Sequence, residues 1–200
     1  LATHDLEIRG SGELLGEDQS GQMQAIGFTL YTELLERAVK SLKQGHDPEL
    51  ETAAHHGTEI DMHVAALIPD DYLPDVHTRL VMYKRIANAR SEIELKDIQV
   101  EMIDRFGLLT EQIKNLFAIT QLKLKATPLD ILSIDFSVNG GRMVFTEAPN
   151  LDPMKIINLI QTQSKLYKLD GNSKLRLLKK EPDFNRQITY LNELLEHLAA

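Results

Sequence analysis

Hydrophobic periodicity changes kind near residue 128 of this chain, and that change limits the folds open to it. Before it, apolar residues recur at helical spacing; after it, short alternating runs flank turn dipeptides. Leu30, Leu34, Leu35, Ala38 and Leu42 line one face of a helix from Phe28 to Gln44, and Gly45 stops it. Asp75 or its neighbours can cap a helix running to about Ala89. Ser91 followed by Glu94 has capping-box spacing and predicts a helix over 92–106, with Gly107 just past its end. Thr110 caps another to about Lys125, which Pro128 ends. Asn139-Gly140 and Asp170-Gly171 then predict two hairpins with type I′ turns. Between them, Pro153 after Asp152 predicts a short helix, and a last helix is expected from about Asp183 to His197. Helices first, then strands mixed with helices, predict an α+β fold: helices packed with a small antiparallel sheet, preceded by a glycine-rich loop and one helix.

Residues 45–58 are polar and contain Pro48 and Gly57, which is linker composition. We therefore divide the chain into residues 1–53 and a domain over 54–200. The domain opens with a strand-like piece in which Ile60, Met62 and Val64 alternate. "IPDDYLPD" follows as a double-proline turn.

The chain has no cysteine, which excludes structural disulfides and thiolate metal sites. No apolar run approaches bilayer length, so we expect a cytoplasmic protein with no membrane partner. The net charge is −8. Freestanding nucleic-acid-binding domains are usually basic, because phosphate neutralisation supplies most of their affinity. An acidic domain more often meets a basic protein partner.

No phosphate-binding glycine loop, serine nucleophile elbow or His-Glu-x-x-His motif is present, and no catalytic residue is assigned. His55, His56 and His63 are the nearest metal candidate. Adjacent histidines do not readily share one face, so we read solvated linker histidines and expect no metal. Asp70, Asp71 and Asp75 resemble an acid/base group, but turn residues beside Pro69 and Pro74 account for them. A small hydrolase would need these carboxylates perturbed in a pocket.

On the helix over 92–106, Leu95, Ile98, Met102 and Phe106 form a core stripe. Glu94, Asp97, Glu101 and Asp104 form a separate acidic arc, with Arg105 one turn from Glu101. Such an arc is ordinarily a solvated face; the sharper reading is a docking surface for a partner's arginines. Residues 165–180 carry Lys165, Lys168, Lys174, Arg176, Lys179 and Lys180 against Asp170 alone. This basic hairpin could touch DNA directly, but only Tyr167 interleaves it, and lysines that protect an edge strand explain it as well.

The stretch "DLEIRGSGELLGEDQSG" at 5–21 is the most unusual in the chain. Gly10, Gly12 and Gly16 let backbone turn sharply and approach another surface. Arg9 is a permanent forked donor and Gln19 both donates and accepts. Leu6, Ile8, Leu14 and Leu15 read as anchors that a solvated tail would not need. The chain begins at Leu1 rather than Met, and we expect this stretch to belong with a larger upstream unit.

"HDLEIRGSGELLGEDQSGQMQAIGF" closely resembles the segment after the last helicase motif in bacterial transcription-repair coupling factors, the Mfd family; a related stretch occurs in RecG branch-migration helicases. "IPDDYLPD", "RLVMYKRIANA", "VEMIDRFG" and "YKLDG" resemble further pieces of the same family's carboxy-terminal domain, in the same order. The resemblance covers essentially the whole chain and implies a carboxy-terminal fragment of such a factor. It implies that Arg9 and Gln19, with Gly10, Gly12 and Gly16, couple ATP hydrolysis to translocation on double-stranded DNA. ATP and magnesium would bind motor domains that this chain lacks, so the fragment itself would be no enzyme. The parent would displace stalled RNA polymerase and recruit UvrA. Residues 54–200 would form a regulatory domain that docks on the family's amino-terminal UvrB-like module and masks its UvrA-binding surface. The resemblance places Glu101, Asp104 and Arg105 on that docking face. Moving such a lock from 99% closed to 99% open takes about 5.5 kcal/mol of differential binding. The alternative is a DNA-binding module working through the hairpin 165–180.

Overall fold

The computed structural model describes residues 57–199. Arg9, Gly10, Gly12, Gly16, Gln19, the helix expected over 28–44 and the division near residue 53 lie outside the described residues. The elements are β1 (Glu59–Asp61), α1 (Val76–Asn88), α2 (Glu92–Phe106), α3 (Glu111–Ala126), β2 (Ile131–Ser137), β3 (Gly140–Phe145), α4 (Pro153–Thr162), β4 (Tyr167–Asp170), β5 (Lys174–Leu177) and α5 (Phe184–Ala199).

Local chemistry sets the helix starts. The Asp75 carboxylate accepts the Thr78 N–H at 2.9 Å. Ser91 Oγ accepts the Glu94 N–H at 3.1 Å, while the Glu94 carboxylate reaches back to the Arg90 N–H at 2.8 Å. The pair closes a capping box one residue wider than the usual one. Thr110 and Asp152 cap α3 and α4 in the same way, with Pro153 at the first position of α4. Gly107, at φ 100°, ends α2 as expected.

The sheet has five strands in the order β1-β2-β3-β5-β4. The α+β expectation holds, and four of the strands pair antiparallel. β1 differs, because it lies parallel to β2 and makes the sheet mixed. Parallel pairing needs a long crossover, and α1, α2 and α3 supply it. β1 is also shorter than its alternating pattern suggests. His63 takes a left-handed backbone at φ 56° and turns the chain away.

Both hairpins form, but neither turns through the expected type I′ pair. Ser137 pairs directly with Gly140, so Val138 and Asn139 make the loop and Gly140 opens β3. Asp170 pairs with Lys174 across a longer loop. A type I′ turn needs positive φ at both central residues. Each hairpin has one such residue, Gly140 at 105° and Gly171 at 69°. Gly140 is also fixed sterically, since a Cβ there would lie 2.3 Å from the Leu177 carbonyl oxygen of β5.

Two apolar clusters fill the interior. One joins the sheet to α4, α5 and the last turns of α3, through Leu122 and Ala126. The other joins α1, α2 and the first turns of α3, through Ile113, Leu116 and Phe117. α3 is common to both, with Ile119 packed against each. It ties the helical layer that carries α2 to the sheet.

Candidate docking surface on α2

Leu95, Ile98 and Met102 are buried beneath α2. The opposite side is not uniformly polar. Ile93, Val100 and Ile103 are exposed at 74%, 52% and 39%, and Leu108, just beyond the helix, at 84%. At about 100° per residue, Ile93, Asp97, Val100 and Asp104 fall within one narrow stripe, and all four are exposed. This surface interleaves aliphatic side chains with carboxylates. A protein interface requires apolar contact area and charges that set orientation, and both occur here.

Glu101 and Arg105 adjoin the stripe. Arg105 Nη1 donates to Glu101 Oε2 at 3.0 Å, the one-turn pairing read from the sequence. Arg85 of α1 donates from both terminal nitrogens, Nη2 to Oε1 at 3.0 Å and Nη1 to Oε2. This forked hydrogen bonding, with Arg105 next in weight, holds the Glu101 carboxyl down at about 2. Glu101 is therefore already clamped between two guanidiniums within the domain. Asp104 is exposed and has no ion pair among the described residues. Asp97 is likewise exposed, while Glu94 serves as a cap. Of the residues assigned to docking, Asp104 is thus the carboxylate presented outward, and Glu101 and Arg105 brace the surface beside it. Arg85 gives no signal in the sequence, since its partner lies sixteen positions away. The exposed aliphatics did give one, because Ile93, Val100 and Ile103 fall off the core stripe.

The double-proline turn anchors the far end of α2. The Tyr72 hydroxyl donates to the Gly107 carbonyl at 2.8 Å, with the Met102 carbonyl at 3.2 Å. Its ring meets Phe106 edge-on at 6.2 Å, and the Arg105 guanidinium lies 4.7 Å over the Phe106 ring. The turn is itself pinned from α1. The Tyr83 hydroxyl accepts the Ile68 N–H at 2.6 Å, and Arg79 Nη1 donates to the Leu73 carbonyl at 3.0 Å. Asp70 and Asp71 in this turn are exposed, and Asp75 is a cap whose pKa is lowered by the Thr78 hydroxyl and backbone N–H. The arrangement lacks the burial that would raise a carboxylate toward acid/base work.

His63 is not a solvated linker histidine. Its Nε2 lies 3.0 Å from Asp135 Oδ1 on β2, and its own N–H donates to Asp61 Oδ1 at 2.9 Å. Ligand atoms of Asp61, His63 and Asp135 fall within 4.8 Å of one another. The hydrogen bond to Asp135 raises the His63 pKa above 6.5, with further help from the charges of Asp61 and Asp135. A raised folded pKa contributes stability that is complete below the unfolded value and lost as pH rises through the folded one. The clasp between β1 and β2 therefore weakens upward from about pH 6.5. Proton NMR titration should give His63 a pKa above that value, and Asp135→Asn should bring it back down; an unshifted His63 would refute the clasp. His55 and His56 lie outside the described residues.

In the basic hairpin Lys165, Lys168, Lys174, Arg176 and Lys180 are exposed, whereas Lys179 lies 4.7 Å over the Tyr190 ring. No helix among the described residues is long and apolar enough to cross a membrane.

These features define an α+β domain whose helix α2 carries an exposed stripe of aliphatic and acidic side chains. A family model described as the TRCF domain matches residues 62–156, from the end of β1 into α4. Over all 200 residues the chain is 48% identical to the transcription-repair-coupling factor of Haemophilus influenzae, and over 198 residues it is 46% identical to that of Escherichia coli. It spans 18% and 17% of the lengths of these relatives. The crystal structure of the C-terminal domain of a transcription-repair coupling factor shares the fold, with a TM-score of 0.62 at 18% identity over 72% of this chain and 92% of that one.

Proposed function

We propose that this chain is a carboxy-terminal part of a transcription-repair coupling factor, and that its folded domain works as an autoinhibitory lock. The outer face of α2 docks on a UvrB-like amino-terminal module of the same protein and masks the surface that recruits UvrA. The observation that carries this reading is the stripe Ile93–Asp97–Val100–Asp104, an aliphatic and acidic surface on a helix whose braces are satisfied internally. The similarity to coupling factors along the whole chain supports it. In this reading Glu101, held by Arg85, fixes Arg105, and Asp104 faces the partner. The parent is an ATP-dependent translocase on double-stranded DNA that displaces stalled RNA polymerase. Its ATP and magnesium bind motor domains outside this chain, and Arg9, Gln19 and the glycines between them couple hydrolysis to movement. No catalytic activity is proposed for the chain itself.

UvrA binding to the full-length factor tests the lock. Asp104→Ala, and the triple change of Glu101, Asp104 and Arg105 to Ala, should each tighten UvrA binding by about tenfold or more, equivalent to about 1.4 kcal/mol released from the closed state. Unchanged affinity in correctly folded variants would sink the proposal and leave α2 a solvated face.

A further inference from the structure

Strand register lines up five charged side chains that the sequence scatters between residues 61 and 176. Asp61 pairs with Asp135, Asp135 with Arg142, Arg142 with Arg176, and Arg176 with Lys168. Register partners share a sheet face, and neighbours along a strand point to opposite faces. Ile60, Ile134, Met143 and Leu175 form the adjoining row and are buried in the sheet cluster. The charged row therefore projects from the other face, where Arg142, Arg176 and Lys168 are exposed. With strands about 4.8 Å apart, these three cations span about 10 Å. Lys174 flanks them in the next row, opposite Val144.

Like charges directly across neighbouring strands repel. Yet among the described residues Arg142, Lys168 and Arg176 make no ion pair. The carboxylate in register with Arg142 is Asp135, and His63 has taken it at 3.0 Å. Asp170, on the same face two residues from Lys168, stands in register with Lys174 and not with any of the three, so the row itself keeps three adjacent cations in line.

We propose that this row binds the phosphate backbone of nucleic acid. Arg142 and Arg176 act as forked donors and Lys168 as a point charge. Backbone contact needs only cations at fixed spacing on an accessible surface. An acidic protein segment would need an apolar anchor as well. The same-face neighbours Gly140, Val144 and Lys174 supply no exposed large hydrophobic side chain. The site extends past the hairpin 165–180, because Arg142 lies on β3, and this is what separates the two ideas. The acidic remainder of the chain, at net −8, weakens the attraction and places binding at low salt.

Anisotropy of a fluorescein-labelled duplex of about 20 base pairs, titrated with the whole chain between roughly 20 and 200 mM salt, tests this. Three phosphates predict a log–log slope of about −2.7, and Arg142→Gln or Arg176→Gln should each weaken binding and flatten the slope by about 0.9. Lys168→Gln should act in the same direction, and circular dichroism checks each variant's fold. Absent binding at low salt would overturn the proposal. So would an inert Arg142→Gln alongside damaging Lys165→Gln and Lys180→Gln, which would put the contact on the hairpin ends. Competition by polyglutamate as effective as by unlabelled duplex would also overturn it, and would assign the row to an acidic protein.

Discussion

Met102→Ala should lower the stability of the domain by about 2–5 kcal/mol, the range for truncating a fully buried long side chain whose surroundings cannot collapse. Met102 is 0% exposed and sits between the helical core and the clamp. Its sulfur lies 3.8 Å from Arg85 Nη1, and its carbonyl is next to the Tyr72 hydroxyl. Neighbours held by hydrogen bonds at both ends have little freedom to close the cavity. Urea unfolding would read the loss as a lower midpoint at constant slope. A cost under about 1 kcal/mol would mean that α1 and α2 slide together, and that the outer face of α2 is not rigidly presented.

Tyr83→Phe should cost about 1–3 kcal/mol although it removes one oxygen. The ring is 1% exposed, so the packing is conserved, but the Ile68 N–H loses its acceptor in a site water does not reach. Burial pushes the Tyr83 hydroxyl up to about 12, so it stays protonated through the neutral range. The damage should be local first. Amide exchange should quicken at Ile68 and through the double-proline turn before it does so in the sheet. Equal protection in variant and parent would show that the hydrogen bond does not hold the turn.

Helices were the most legible part of the sequence, because their signals are local. Asp75, Ser91, Thr110 and Asp152 each announce a start within three residues, and Gly107 announces a stop. Strand pairing was less legible. Nothing near Ile60 says that its partner is Ile134, or that the two run parallel, since that pairing depends on where three intervening helices deliver the chain. Turn chemistry misled by one position: Asn139-Gly140 has the composition of a type I′ turn, but Gly140 pairs with Ser137 in the ladder and the loop falls on Val138-Asn139, neither of which has positive φ. The same split holds for the surfaces. Glu101 and Arg105 could be paired from spacing alone, whereas Arg85 could not. Arg142 looked unremarkable until register set it beside Arg176.

The chain enters the described domain through β1, and that entry is slight. Three residue pairs join β1 to β2, helped by the Thr58 hydroxyl donating to the Ile131 carbonyl at 2.7 Å and the Thr58 N–H to Thr127 Oγ1 at 3.2 Å. A pull arriving from upstream residues therefore meets this edge strand first. Ile60 belongs to the sheet cluster and His63 is clasped to Asp135, so drawing β1 off the edge would open that cluster, whereas the cluster beneath α2 contains no β1 residue. Load on the first strand thus falls on the sheet cluster before it reaches the one that seats α2.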